Sequence, residues 1–307
     1  MTTQTVAEKP GLAAVMFDLS RGRQALLSVA QPALGALLVL DRLPAVWVAA
    51  VGLVAATAGY LAVFSLNDVL DRRSDIDALR VGKGIVVGYD IDTAFERHPL
   101  ARGDIPFSWS LAWVGFLGLV SAVCAYLLAP VCLVLFVIAV SLEVLYCSLR
   151  SVTWLKTIVS GLMVGAGGLA GWAAVAPLTG AAVPFFVFLA LWEIGGRNLP
   201  NDLSDIVADS AVEIRTVATT FGPRTSSRAT AAVAALTLVS LPLIGLPWPA
   251  TVAALALGVW ALGVPAVELL RRPTSDQAAR YFNRASLLPA LVFLCAFVPI
   301  AIRALAA

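Results

Sequence analysis

Histidine is nearly missing from this chain: its 307 residues include one, His98. A single imidazole excludes a metal centre built from histidines. Charged residues are also scarce, at 13%, and a net charge of +2 offers no basic surface for nucleic acid. The four cysteines, Cys124, Cys132, Cys147 and Cys295, lie in or at apolar segments without metal-ligand spacing. They read as small buried residues. The first 20 or so residues are polar, with Pro10 and Asp18, and lack the basic, apolar and small-residue order of a signal peptide.

Hydrocarbon is what the chain has in quantity. Hydrophobic residues make up 60% and the mean hydropathy is +0.90. Apolar runs of about 18 residues or more recur along the sequence, the length that crosses a bilayer as a helix. The expected fold is all-α, a polytopic membrane bundle of nine transmembrane helices at about 24–40, 45–69, 109–128, 130–149, 154–176, 183–200, 227–246, 249–270 and 285–304. Ala129-Pro130 and Pro247-Trp248-Pro249 are too short to do more than turn the chain between antiparallel neighbours. A polar segment, 1–20, is expected to precede a single transmembrane domain, 21–307, with no soluble second domain.

Basic residues orient the bundle. Arg72, Arg73, Arg80, Lys83, Arg97, Arg102, Arg150, Lys156, Arg215, Arg224, Arg271 and Arg280 fall in or beside the loops after spans two, four, six and eight. The opposite side has Arg42 and Arg303. The positive-inside rule places the N-terminus and the even loops in the cytoplasm, in a multi-pass protein of the cell (inner) membrane. Loops 2–3 and 6–7, which hold most of the polar residues, are expected to form a small cytoplasmic cap. Gly82, Gly84 and Gly88 mark turns in the first of them.

One acidic pattern occurs twice. Asn67-Asp68-Val69-Leu70-Asp71-Arg72-Arg73-Ser74-Asp75 and Asn201-Asp202-Leu203-Ser204-Asp205-Ile206-Val207-Ala208-Asp209 both read N-D-x-x-D-x-x-x-D, and each follows a long apolar run. On a helix the offsets 0, +3 and +7 share a face. Two such helices would direct Asp68, Asp71, Asp75 and Asp202, Asp205, Asp209 toward one another at the membrane edge. Six clustered carboxylates repel, and divalent cations holding a diphosphate would offset that repulsion. Magnesium takes hard oxygen ligands and is commonly bound by carboxylates together with substrate phosphates. A single acidic motif would read as a solvated helix end; the duplicate after two spans points to a site.

A diphosphate also needs cations. Arg72 lies within the first motif, Arg215 follows the second, and Tyr146, Arg150 and Lys156 flank the loop between spans four and five. Guanidinium forks suit phosphate oxygens. The competing account of each cation is a snorkelling or orienting residue.

These features resemble the UbiA-type intramembrane prenyltransferases, which have a matching aspartate motif after the second helix and a D-x-x-x-D motif after the sixth. His98-Pro99-Leu100-Ala101-Arg102-Gly103, Tyr146 to Arg150, and Ile214-Arg215-Thr216-Val217-Ala218 with Phe221-Gly222 resemble further family segments, so the likeness runs over about residues 22–305. The chain departs from the family at His98, in a long segment from Asp75 to His98, at Tyr146-Cys147-Ser148 without a following proline, and at Arg215 in place of lysine. The resemblance implies Mg2+-dependent transfer of a prenyl group from a polyprenyl diphosphate to an aromatic or lipid-precursor acceptor within the bilayer. Two Mg2+ ions on the six aspartates would hold the diphosphate. Asp68, Asp71, Asp202, Asp205 and Lys156 would be catalytic; Asn67, Arg72, Arg102, Tyr146, Arg150, Asn198 and Arg215 would bind substrate. Lys156, Arg72 and Arg215 would neutralise the leaving group as an allylic cation forms. Phe64, Trp154 and Trp192 could face that cation, although ordinary span packing or an interfacial belt is the stronger reading of them. Glu143 and Glu193 would be acceptor bases or partners of Arg150 and Arg197.

Three other readings compete. A membrane terpene cyclase would ionise the same donor and trap the cation with the donor's own double bonds. A CDP-alcohol phosphotransferase would carry one compact aspartate signature with Asp-Gly and Ala-Arg pairs, which these motifs lack. A cation transporter would place its acids in mid-span, whereas these sit at span ends.

Overall fold

The computed structural model describes residues 11–80, 91–93 and 97–306. The glycines at 82, 84 and 88 and Lys83 lie outside the described residues. The described chain is helical, with no β-strand among the described residues. Within hydrocarbon this is the arrangement that satisfies every backbone donor and acceptor inside its own segment.

The first helices are α1 (Leu12–Leu19), α2 (Gly22–Ser28), α3 (Ala30–Leu40) and α4 (Val46–Arg80). After the short α5 (Pro99–Arg102) come α6 (Phe107–Leu128), α7 (Pro130–Ser148), α8 (Lys156–Ala173) and α9 (Val183–Trp192). A π-helical turn, Glu193–Asn198, leads into α10 (Leu199–Ser204), α11 (Ile206–Ala211) and α12 (Val217–Phe221). The chain ends with α13 (Pro223–Ser240), α14 (Trp248–Gly258), a second π turn at Val259–Gly263, α15 (Val264–Arg271), α16 (Ser275–Ala285) and α17 (Leu288–Leu305).

Among the described residues, eight helices are long and apolar enough to cross a membrane, against the nine expected. The fifth expected span is present as the 18-residue α8, but it is not one of the eight. Its five glycines, at 161, 165, 167, 168 and 171, dilute its hydropathy. They serve packing instead. A Cβ at Gly171 would stand 1.8 Å from the Pro32 carbonyl oxygen, so α3 crosses α8 at a distance only glycine permits there. The expected 6–7 cap segment is folded as α10 to α12; of the 2–3 cap segment, residues 81–90 and 94–96 lie outside the described residues, and the rest includes the end of α4 and α5.

Helix α4 runs 35 residues, about 52 Å at 1.5 Å per residue. The hydrocarbon core takes about 20 residues. The helix therefore continues well past the expected end at residue 69, and its last turns carry Asp71 and Asp75. The second acidic motif is not on one continuous helix. Pro200 opens α10, and the preceding turn widens to π geometry. A proline ring clashes with the carbonyl four residues earlier, and a wider turn relieves that clash. Pro265 follows the second π turn in the same way. A further break at Asp205 separates α10, with Asp202, from α11, with Asp209.

The main core joins Leu34, Phe185, Phe188, Leu189, Trp192, Leu203, Leu241, Leu262, Tyr281, Leu288 and Val292. A smaller cluster of Val15, Leu19, Leu100 and Ile105 holds α1 against α5. Outward-facing side chains such as Leu119, Leu127 and Val239 are exposed and apolar, the surface a lipid-embedded bundle presents.

Candidate active site

One cavity of about 690 Å³ is lined by all six aspartates of the two motifs. Its polar mouth continues into an apolar floor formed by Leu37, Phe136, Val164, Phe293 and Phe297. Asp68, Asp75, Asp202 and Asp209 are buried. Buried carboxylates are costly unless paired, and the mouth is an alternation of acids and bases.

On the first motif, Arg150 Nη1 lies 2.6 Å from Asp71 Oδ1. Arg21 lies 3.5 Å from Asp68 and donates to Asn67 Oδ1 at 2.9 Å. His98 Nδ1 stands 3.2 Å from Asp75 Oδ2 and 3.8 Å from Asp68 Oδ1. On the second motif, Lys156 Nζ pairs with Asp202 at 3.2 Å and donates to the Tyr146 hydroxyl at 3.0 Å. Asn198 donates to the same hydroxyl at 3.0 Å and accepts from the Thr157 hydroxyl. Arg97 joins the two halves: it lies 3.8 Å from Asp205 and 3.9 Å from Asp92, and Asp92 lies 4.0 Å from Arg21.

Several sequence-assigned residues therefore gather in one place: the six aspartates, Asn67, Tyr146, Arg150, Lys156 and Asn198 all line the cavity. Three assigned to substrate do not line it. Arg102 forms a 2.7 Å pair with Asp104. Arg72 lies over the Phe107 ring at 5.7 Å, because the arginine one residue after Asp71 projects from another face of α4. Arg215 donates to the Val152 carbonyl at 3.4 Å, outside the main cavity.

The two buried glutamates separate. Glu193 pairs with Arg197 at 3.2 Å and accepts from Ser160 at 2.9 Å. Glu143 does not meet Arg150, which is engaged by Asp71; it accepts from Asn67 at 2.7 Å. Phe64 lines the cavity with Arg21 and Arg197 each 5.9 Å from its ring. Trp192 is committed to the core, donating to the Ala285 carbonyl at 2.9 Å, and Trp154 packs edge-on against Phe221.

Arg21, Gln24, Asp92, Arg97 and His98 also line the cavity, and none was assigned a role in the site from the sequence. Asp92 and Arg97 come from a non-repeating loop with no spacing to mark them. Arg21 had a signal, an arginine directly before the first apolar run, and so did His98 in the His-Pro-Leu segment. The structure sets His98 in a group with Asp68 and Asp75 whose ligand atoms all lie within 4.8 Å of one another. The lone histidine thus stands beside the aspartates, where the sequence excluded a centre made of histidines.

The donor set fits divalent metal. Asp68 Oδ1 and Asn201 Oδ1 are buried oxygens that accept no hydrogen bond among the described residues, and both residues line the cavity. Hard oxygen donors of this kind are what Mg2+ takes.

Solved structures share the fold. A UbiA homolog from Aeropyrum pernix K1 aligns with TM-score 0.73 at 18% identity, covering 90% of this chain and 98% of that one. A UbiA homolog from Archaeoglobus fulgidus, bound to DMAPP and Mg2+, aligns with TM-score 0.68 at 16% identity, covering 94% and 99%. A digeranylgeranylglyceryl phosphate synthase aligns with TM-score 0.65 at 17% identity, covering 94% and 98%. No curated protein matches the sequence. The description of the UbiA prenyltransferase family matches residues 29–288, most of the chain, and the protein is a multi-pass membrane prenyltransferase belonging to that family.

Proposed function

We propose that this protein transfers a prenyl group from a polyprenyl diphosphate to a small acceptor at the cytoplasmic face of the bilayer. The observation that carries this reading is the cavity itself: two carboxylate triads and their basic partners at the mouth, and an apolar floor behind them. A diphosphate suits the first and an isoprenoid tail the second. Archaeoglobus fulgidus homologs bind DMAPP or GPP with Mg2+, which supports the same donor class here.

Asp68, Asp75, Asp202 and Asp209 would hold two Mg2+ ions, with Asp71 and Asp205 completing the set. Bound metal would supply charge to a leaving diphosphate. The protein's own residues do the rest. Lys156 and Arg150 sit where they can exchange an aspartate for a phosphate oxygen, a trade between two charge-assisted contacts. The Tyr146 hydroxyl, itself held by a hydrogen bond from Asn198, accepts from the Lys156 ammonium, so the ammonium's position is set before the donor arrives. The apolar floor keeps water from the C1 carbon as its bond to oxygen breaks. Phe64 presents a ring to the mouth, where it could face a developing allylic cation. Asn67, which donates to Glu143, would face the acceptor. Basic residues on the cytoplasmic loops argue for the orientation.

The test is to supply purified protein with Mg2+ and a radiolabelled prenyl diphosphate and to measure diphosphate release with a panel of phenolic and phosphorylated-alcohol acceptors. Release that depends on Asp68 and Asp202 is expected. Release unchanged from the wild type in both the Asp68→Ala and Asp202→Ala variants would remove the mechanism. Cyclised hydrocarbon formed without any acceptor would assign the protein to the cyclase branch instead.

A further inference from the structure

We propose that His98 is a nitrogen ligand in a divalent-cation site shared with Asp68 and Asp75, and that this site favours a first-row transition-metal ion over Mg2+. The proposal rests on the reading that the aspartate cluster binds metal, and it adds to that reading a ligand and an ion preference.

The geometry is close to a coordination shell. An octahedral ion with bonds of about 2.1 Å holds neighbouring ligand atoms about 3.0 Å apart and opposite ones about 4.2 Å apart. His98 Nδ1 and Asp75 Oδ2 are 3.2 Å apart, the separation of neighbours. His98 Nδ1 and Asp68 Oδ1 are 3.8 Å apart, between the two limits. All three ligand atoms fall within 4.8 Å of one another, so a shift of less than about 1 Å would seat an ion.

A separate observation points to a ligand at this spot. Asp68 is 4% exposed, and its Oδ1 accepts no hydrogen bond among the described residues, where Arg21 and His98 bring basic nitrogens to 3.5 and 3.8 Å. A carboxylate oxygen buried that deeply normally has a partner. A metal ion between Asp68, Asp75 and the imidazole would be that partner.

The ligands come from two elements. Asp68 and Asp75 are two turns apart on α4, and His98 precedes Pro99 at the start of α5, which the Leu100 and Ile105 cluster packs against α1. The imidazole is thus delivered to the motif by a packed segment. The ion preference follows from ligand chemistry. Carboxylate and water alone suit Mg2+, whereas imidazole nitrogen suits transition metals such as Fe2+, Ni2+ and Zn2+, with Mn2+ at the weakest-binding end of the same first-row series.

Purified full-length protein in detergent, with Mn2+ and no prenyl diphosphate, provides the test. Pulsed electron paramagnetic resonance reads nitrogen coupled to bound Mn2+, and Mg2+ competition gives the selectivity on one sample, independently of the folded fraction. Imidazole coupling is expected in the wild type and absent in His98→Ala and His98→Arg. Both variants should weaken Mn2+ binding by about 10-fold or more and reduce the preference for Mn2+ over Mg2+. Wild-type Mn2+ without nitrogen coupling, no Mn2+ binding at all, or His98→Arg binding Mn2+ as the wild type does would each overturn the proposal; the last would leave His98 as a cationic partner of Asp75. Diphosphate release in Mg2+ is a separate measurement, so either proposal can fail while the other stands.

Discussion

Replacing Lys156 with methionine keeps much of the side chain's length and removes its charge. The ammonium lies 3.2 Å from Asp202 Oδ1, with the two side chains 4% and 6% exposed. Desolvating both groups is costly, and their attraction offsets that cost only while both are present. Removing one partner of such a pair costs about 3–5 kcal/mol. The Tyr146 hydroxyl keeps its hydrogen bond from Asn198 at 3.0 Å, so the loss is mainly that of the Lys156–Asp202 ion pair. At about 2–4 °C per kcal/mol, Lys156→Met should lower the melting temperature by roughly 6–20 °C. The assay is thermal unfolding in detergent without divalent cations, followed by circular dichroism. Lys156→Met with Asp202→Asn removes both charges and should recover most of that loss. Added Mg2+ should restore part of it to the single variant. A single variant as stable as the wild type, or a double variant no better than the single, would refute the buried pair.

Asp68→Asn and Asp202→Asn should each reduce diphosphate release by about 100-fold or more, since each removes charge from the diphosphate end of the cavity; radiolabelled donor turnover measures it. Gly171→Ala would press a methyl group on the Pro32 carbonyl, force α3 away from α8 and cost about 1–3 kcal/mol, read as a lower melting temperature. Arg102→Ala, which removes the half-exposed pair with Asp104 and lies outside the cavity lining, should change kcat/KM by less than about twofold. The hydrogen bond from Arg303 holds the Asp41 carboxyl below the usual aspartate range. A depressed carboxyl stabilises above its unfolded pKa, and that contribution is lost as the pH falls through the folded value. Both side chains are exposed, so Asp41→Asn should leave the melting temperature at pH 7 unchanged.

Composition and spacing were enough to read the bundle, because a run of apolar residues in lipid has few choices besides a helix. The paired aspartate motifs were legible as one acidic pattern repeated after two spans, and the structure brings all six carboxylates to one cavity. Tertiary structure decided which bases meet those acids. Arg150 rather than Arg72 reaches Asp71, since position on a helix face, and not proximity along the chain, sets contact. It also decided that Pro200 would break the second motif's helix, and that Arg21, Asp92, Arg97 and His98, separated along the chain, would close on one mouth. Periodicity reports what a segment does by itself. Pairing between loops depends on how whole helices pack, and here that packing turns on the α3–α8 crossing and on the small cluster beneath α5.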